Sequence, residues 1–516
     1  MLYPIGIQDF EKLREGGYTY VDKTRQVYRL AHDGVYFFLS RPRRFGKSLL
    51  ISTLEAYFLG KKELFRGLAL EELEKEWKEY PVLHLDLNVG RYNTPQALEE
   101  VLDNTLLAWE RRYGIPTKEL SNGLRFSEVV QRAYEKTGLP VVILIDEYDK
   151  PLLQAITNEP LQDEYRSQLK AFYSVMKTQD RYIRFALLTG VTKFGKVSVF
   201  SDLNNLKDIS MSSAYADICG ITEQELLDYF PESIQELADA NKMTYEQARL
   251  KLKERYDGYH FEADTPGIYN PFSLLNALQE HKFKDYWFET GTPTFLVELL
   301  KQTDYDLSRL QEEEVDGSVL GSIDSAPRYP IPVIYQSGYL TIKDHDEEFG
   351  TYRVGFPNKE VETGFIKFLL PRYTYMDEGK SVFSVNNFVK EVRKGNVQGF
   401  LTRLQAFFAD MDFTLTSKGG YEAHYHNILY LVFKLMGFYT QVEYHSSRGS
   451  ADVVIQTTDY VYVIECKLDH PATEALQQIE ARGYATPFAA DPRQLFKIGI
   501  SFSSETRGVE EYLVEE

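Results

Sequence analysis

Two clusters of residues in this chain have types and spacings that could do chemistry. The first is Arg41-Pro42-Arg43-Arg44-Phe45-Gly46-Lys47-Ser48. Its ending suits a loop that wraps phosphate, in which backbone N–H groups at a helix start face the anion and the helix dipole adds to their pull. Arg44, Phe45 and Gly46 would offer such N–H groups, Lys47 would reach the β- and γ-phosphates of a nucleotide, and Ser48 would hold Mg2+. The partner of this loop is Val141-Val-Ile-Leu-Ile-Asp146-Glu147, an apolar run ending in two acids. Asp146 would support the Mg2+ and Glu147 would polarise the attacking water. Thr189, at the end of the next apolar run, is a candidate sensor of the γ-phosphate. Arg41 occupies the position of the usual first glycine, so it is expected to adopt a loop geometry that glycine reaches without steric cost. No arginine finger can be singled out among Arg43, Arg44, Arg181 and Arg184.

The second cluster is Gly449-Ser-Ala-Asp452 followed by Ile464-Glu465-Cys466-Lys467. With Thr458-Asp459 at a hairpin tip, counting outward sets Thr457 against Tyr460 and Asp452 against Glu465. Directly opposed residues share a sheet face with Cβ atoms about 4.5–5.5 Å apart. Two such carboxylates repel unless a cation lies between them. Strand alternation puts Lys467 on the same face. Mg2+ would be held by Asp452, Glu465 and the Cys466 carbonyl, while Lys467 would orient the attacking water or stabilise charge on a phosphate. Glu422, opening the preceding helix, is a further candidate metal ligand. Gln478, on the following helix with Tyr484 behind it, could position phosphate or water. The bland alternative is a polar edge strand with a surface Glu465–Lys467 pair. His424 and His426 lie i, i+2 on a helix and do not share a face, which suits surface or packing roles better than metal binding.

The elements that must position these residues follow from hydrophobic patterning. Short apolar runs at 35–40, 82–87, 140–146 and 183–189 read as strands covered on both faces, and they alternate with helical patterns at 47–59, 94–113 and 162–178. From about 222 the pattern turns helical, opened by a Thr222/Glu225 capping box. Residues 338–356 suggest two antiparallel strands around an acidic turn, in a small winged-helix-like unit. The last segment mixes a helix at 421–437 with strands near 440–445, 452–457, 460–467 and 496–502 and a helix near 471–484. The expected fold class is α/β: a P-loop parallel sheet at 1–215, a helical and winged-helix-like region at 216–395, and a C-terminal α/β domain at 396–516.

Composition narrows the class. The chain has 516 residues and a formal charge of −19, so the bulk basic footprint of a nonspecific nucleic-acid binder is missing and any such contact must be local. Two cysteines, Cys219 and Cys466, suit neither a zinc site nor a disulfide framework. The start lacks the pattern of a signal peptide, and no apolar run approaches a membrane span. These features predict a cytoplasmic protein with no membrane partner.

The motifs also carry a resemblance. Tyr20-Val-Asp22-Lys23-Thr24, the Arg41–Ser48 loop, Ile145-Asp-Glu-Tyr-Asp149-Lys-Pro and Leu188-Thr-Gly-Val-Thr-Lys are similar to those of the bacterial AAA-ATPase-like family, as are Tyr256-Asp-Gly-Tyr, Tyr269-Asn-Pro-Phe-Ser, Tyr286-Trp-Phe-Glu-Thr-Gly and Pro357-Asn-Lys-Glu-Val. That family shares the arginine at the first loop position. Residues 398–505 resemble the PD-(D/E)XK nuclease superfamily, with Ala451 in place of the motif's proline. The resemblance implies Asp452, Glu465 and Lys467 as active-site residues, with Glu422 and Gln478 as accessories. It further implies ATP and Mg2+ as cofactors, Mn2+ as a substitute at the nuclease site, and nucleic acid as substrate, DNA ahead of RNA. An oligomer is compatible with the family. The expected function is an ATP-controlled, metal-dependent nuclease. The alternative is a nucleotide-dependent switch or remodelling ATPase whose C-terminal domain binds without cleaving.

Overall fold

A computed structural model describes residues 1–115, 120–194, 205–288, 294–323, 328–411, 421–447 and 450–516. Contacts divide the chain into two compact units, one formed by Met1–Gly291 with Glu312–Glu360, the other by Thr292–Gln311 with Val361–Glu516.

The first unit is built on strands β1 (Tyr36–Ser40), β2 (Val82–Asp86), β3 (Val141–Asp146), β4 (Ile183–Gly190) and the short β5 (Lys207–Asp208). They form one sheet in the order β2-β3-β4-β1-β5, with every pairing parallel. All six residues of β3 are buried, as its unbroken apolar sequence requires when helices cover both faces. Parallel strands deliver their C-terminal ends to one edge of the sheet, so β1 launches the loop into the helix Lys47–Phe58 beside the acids that end β3. Arg181 and Arg184 lie just before and at the start of β4, at the opposite edge, which removes them from the phosphate loop's surroundings.

Beyond the sheet the chain becomes helical. Thr222 accepts from the Glu225 N–H while the Glu225 carboxylate accepts from the Thr222 N–H, completing the capping box of helix Glu223–Tyr229. Glu225 also pairs with Lys23 at 2.6 Å, so the Asp22-Lys23-Thr24 motif serves to tie the N-terminus to this helix. The two-stranded ribbon of β6 (Ile221–Thr222) and β7 (Ile268–Tyr269) stands at the edge of this helical layer. The expected antiparallel pair is β9 (Thr341–Asp346) and β10 (Thr351–Gly355). A third strand, β8 (Glu313–Asp316), pairs with β10, and its acidic Glu-Glu-Val-Asp sequence gave no strand signal.

The second unit carries a sheet of β11 (Gln441–Ser447), β12 (Ser450–Gln456), β13 (Tyr460–Leu468), β14 (Gln494–Ser503) and β15 (Gly508–Glu515), in that order. Only β13 and β14 pair in parallel, joined by the crossover helix Ala472–Arg482. Leu476 and Ile479 of that helix pack against Val463, with Val454 and Tyr484 at the margin. β15 went unrecognised in the sequence because four of its eight positions are glutamate or glycine. No helix among the described residues is long and apolar enough to cross a membrane.

Candidate nucleotide and nuclease sites

At the end of β1 the chain turns through Arg44 and Gly46, both left-handed at φ 68° and 98°, and enters the helix at Lys47. The expectation that Arg41 would take the glycine-like conformation was wrong: Arg41 has no positive φ, and the left-handed residues come later in the loop. Arg41 is buried to 1% exposure and its guanidinium donates to the carbonyls of Ser40, Ser210 and Tyr215 while lying 3.8 Å over the Phe261 ring. It therefore ties the loop to the segment after β5. Burial lowers its pKa to about 10.

The rest of the loop is held by the motifs from the helical layer. Phe45 is buried against Tyr259 and Phe261, and its carbonyl accepts from the Gly220 N–H. The Trp287 indole donates to the Arg43 carbonyl at 3.0 Å, and its backbone N–H donates to Glu360 at 2.7 Å. Gly338 approaches Pro42 so closely that a Cβ there would lie 2.5 Å from the proline ring. Arg44 is exposed, with its guanidinium 4.9 Å over Phe272.

What the loop leaves open fits a phosphate group. No atom of a described residue lies within 4 Å of where a Cβ on Gly46 would stand, and no hydrogen bond to a described residue takes up the N–H groups of Arg44, Phe45 or Gly46. Lys47, 4% exposed, donates to the carbonyls of Arg41 and Pro42 at 3.0 and 3.4 Å and lies 3.4 Å from Glu147. Ser48 follows, half-buried in the first helical turn. Asp146 accepts from the buried Thr189 hydroxyl at 2.6 Å, so Thr189 touches the nucleotide region through that carboxylate. Glu147 sits at φ 53°, a strained turn position that swings its side chain towards Lys47. Asp149, from the same motif, is wholly buried and accepts from the Thr192 hydroxyl and the N–H groups of Val191 and Thr192, which locks the ends of β3 and β4 together. Burial and the neighbouring Glu147 hold its carboxyl well above the usual range.

In the second unit the hairpin register matches the count from the sequence: Asp452 pairs with Glu465, and the Thr457 N–H donates to the Tyr460 carbonyl at 2.8 Å. Glu465 is fully buried. Gln478 donates to Glu465 Oε1 at 2.7 Å and accepts from Lys467 Nζ at 2.7 Å, so one amide bridges acid and cation. The Lys467 ammonium lies 3.8 Å from Glu465 Oε1. Gly449 and the side chain of Glu422 fall outside the described residues; the Glu422 backbone lies in helix Tyr421–Gly437. Cys466 is buried on the opposite face, and burial pushes its thiol far up. His424 is buried with its ring stacked at 5.6 Å on Tyr373, a packing role.

Whether a divalent cation suits this site can be asked of the carboxylates. Glu465 Oε2 is buried without a hydrogen-bond partner among the described residues. Burial pushes the Glu465 carboxyl up to about 7, with Lys467 pulling down and Asp452 adding to the rise. Asp452 is raised too, by burial, against the lowering influence of His445 and Arg482. A cation between the two acids would satisfy the orphaned oxygen and relieve both shifts, so the residues fit. Among the described residues no three His, Cys, Asp or Glu side chains converge, and the Glu422 side chain lies outside them.

His445 and Arg482 went unnoticed in the sequence. His445 pairs with Asp452, making His445–Asp452–Glu465 a continuous row across three strands. Finding it required the register of β11.

The parallel sheet with its phosphate loop and the mixed sheet with its acid–acid–lysine face define an ATPase-like module joined to a nuclease-like module. A family model described as "Predicted AAA-ATPase" matches residues 4–200, and one described as "PD-(D/E)XK nuclease superfamily" matches residues 420–512. The chain is 36% identical over 522 residues to a protein of Azotobacter chroococcum mcd 1 described as "Uncharacterized protein in vnfD 5'region", covering 99% of this chain and 98% of the relative. The chain belongs to this family of AAA-ATPase-like proteins with a C-terminal PD-(D/E)XK nuclease superfamily domain.

Proposed function

We propose that the protein binds and hydrolyses ATP in its first unit, and that this controls a Mg2+-dependent nuclease in the second, with DNA as substrate. The observation that carries the reading is the Gln478 amide, which joins the Glu465 carboxylate to the Lys467 ammonium beside Asp452. A structural surface pair would need neither the full burial of Glu465 nor an amide reaching in from the crossover helix.

In this reading Lys47 and the N–H groups of Arg44, Phe45 and Gly46 hold the phosphates. Ser48 and Asp146 hold Mg2+, Thr189 orients Asp146, and Glu147 leaves Lys47 to polarise water once a nucleotide arrives. At the other site Asp452 and Glu465, with Glu422 as accessory, hold Mg2+ or Mn2+. A bound divalent ion there lowers the pKa of a water and draws charge from a phosphoryl oxygen. Lys467 orients that water and Gln478 fixes the Lys467 ammonium in place. The functional parts are the ATPase domain at 1–215, a coupling region at 216–395 and the nuclease domain at 396–516, in a cytoplasmic protein able to form an oligomer.

The test is cleavage of single- and double-stranded DNA and RNA with Mg2+ or Mn2+, with and without ATP, beside Glu465→Ala. Cleavage that disappears in the variant and responds to ATP is the expected result. ATP hydrolysis without cleavage of any substrate would replace the nuclease with a nucleotide-dependent switch or remodelling ATPase.

A further inference from the structure

Arg482 closes the crossover helix Ala472–Arg482 and is exposed. Gln478 lies one turn earlier on the same helix face, and its amide contacts Glu465 and Lys467 at 2.7 Å. The face that carries Arg482 is therefore turned towards the carboxylate pair. Yet the guanidinium makes no ion pair and no hydrogen bond with any described residue. Two cations at and just before β14 behave differently: Arg493 is paired with Asp491 and Lys497 with Glu480. In a chain with 77 acidic and 58 basic residues, an arginine with no partner among the described residues, on the helix face that meets Glu465 and Lys467, stands out as available.

We propose that Arg482 forms a subsite for a backbone phosphate of nucleic acid next to the bond that is cleaved, with the exposed His445 as its companion at the end of the Asp452–Glu465 row. The inference rests on the nuclease reading of that row. A planar guanidinium presents two N–H groups to two phosphate oxygens, a match that a carboxylate-lined site otherwise lacks. An acidic protein repels a polyanion at long range, so its affinity must come from a few local contacts of this kind. Gln478 and Arg482 share one helix, so the element that fixes Lys467 also sets the phosphate's distance from the metal ligands.

The test uses the full chain carrying Glu465→Gln, which blocks cleavage, and measures binding of a fluorescent DNA duplex and of its single strand in Mg2+ across a salt series. Adding Arg482→Gln should weaken binding several-fold at low salt. It should also flatten the log–log salt slope by about 0.9 for duplex or about 0.7 for single strand, the share of one phosphate contact. Arg482→Lys should restore the slope, because the charge is kept. The side chain is exposed and unpartnered, so thermal unfolding should be unchanged in both variants. An unchanged slope in Arg482→Gln, with the parent binding normally, overturns the subsite and leaves the nuclease reading standing. Failure of the parent itself to bind either probe overturns the nuclease reading and the subsite with it.

Discussion

Asp452 and Glu465 stand directly opposite each other on β12 and β13, and Glu465 is buried with one carboxylate oxygen that has no hydrogen-bond partner among the described residues. A closed apolar sheet would not tolerate such a pair; a cation site would require it.

The first prediction follows from that pair. Mg2+ or Mn2+ should raise the melting temperature of the wild-type protein, by the equivalent of about 2.7 kcal/mol at a hundredfold excess over Kd. Asp452→Asn and Glu465→Gln should lose the metal-dependent increment and at least about a thousandfold in cleavage. Differential scanning fluorimetry with and without EDTA checks the first part. An equal rise in wild type and both variants would remove the metal from this site.

The Lys47–Glu147 ion pair at 3.4 Å gives the second. Lys47→Ala should abolish ATP binding, whereas Glu147→Gln should keep binding and slow hydrolysis by roughly 100-fold or more. Equilibrium binding of a fluorescent ATP analogue, set beside phosphate release, separates the two. Equal loss of binding in both variants would make Glu147 a structural partner of Lys47.

Arg41 yields a prediction that runs against the usual loop pattern. Replacing it by the glycine found in most phosphate loops should destabilise the protein by about 3 kcal/mol, because the carbonyls of Ser210 and Tyr215 lose their buried donor. Chemical denaturation of Arg41→Gly measures this. A neutral result would show that the arginine is dispensable for the loop.

His424 sets an acid limit. Burial, aided by Lys301, lowers its pKa to about 4, against about 6.5 in an unfolded chain. Between those values the unfolded state binds the extra proton. The contribution of His424 is therefore fully present above about pH 6.5 and is lost as pH falls towards 4. His424→Phe should flatten the loss of stability over that window, measured as melting temperature against pH. A parallel profile in wild type and variant would put the acid sensitivity elsewhere.

Much of the geometry of both candidate sites was legible in the sequence because each rests on local rules. An apolar run ending in Asp146-Glu147 announces a buried parallel strand, and Gly46-Lys47-Ser48 announces a glycine turn opening a helix. The hairpin around Thr458-Asp459 fixes the Asp452–Glu465 register by counting alone, since side chains alternate with period two. Less visible were the short strands: β8 is four mostly acidic residues, and its place depends on pairing with β10.

The sequence by itself determined which residues lie on which strand ends, because strand period, helix start and hairpin register are properties of neighbours along the chain. Only the tertiary structure decided what Arg41, Thr189, Gln478 and Arg482 do. Arg41 reaches carbonyls more than 150 residues away, and Thr189 meets Asp146 only when β3 and β4 align. Gln478 bridges Glu465 and Lys467 only because the crossover helix lies down on β13. Contacts between elements distant in sequence are set by packing of the whole core, and no local pattern encodes them.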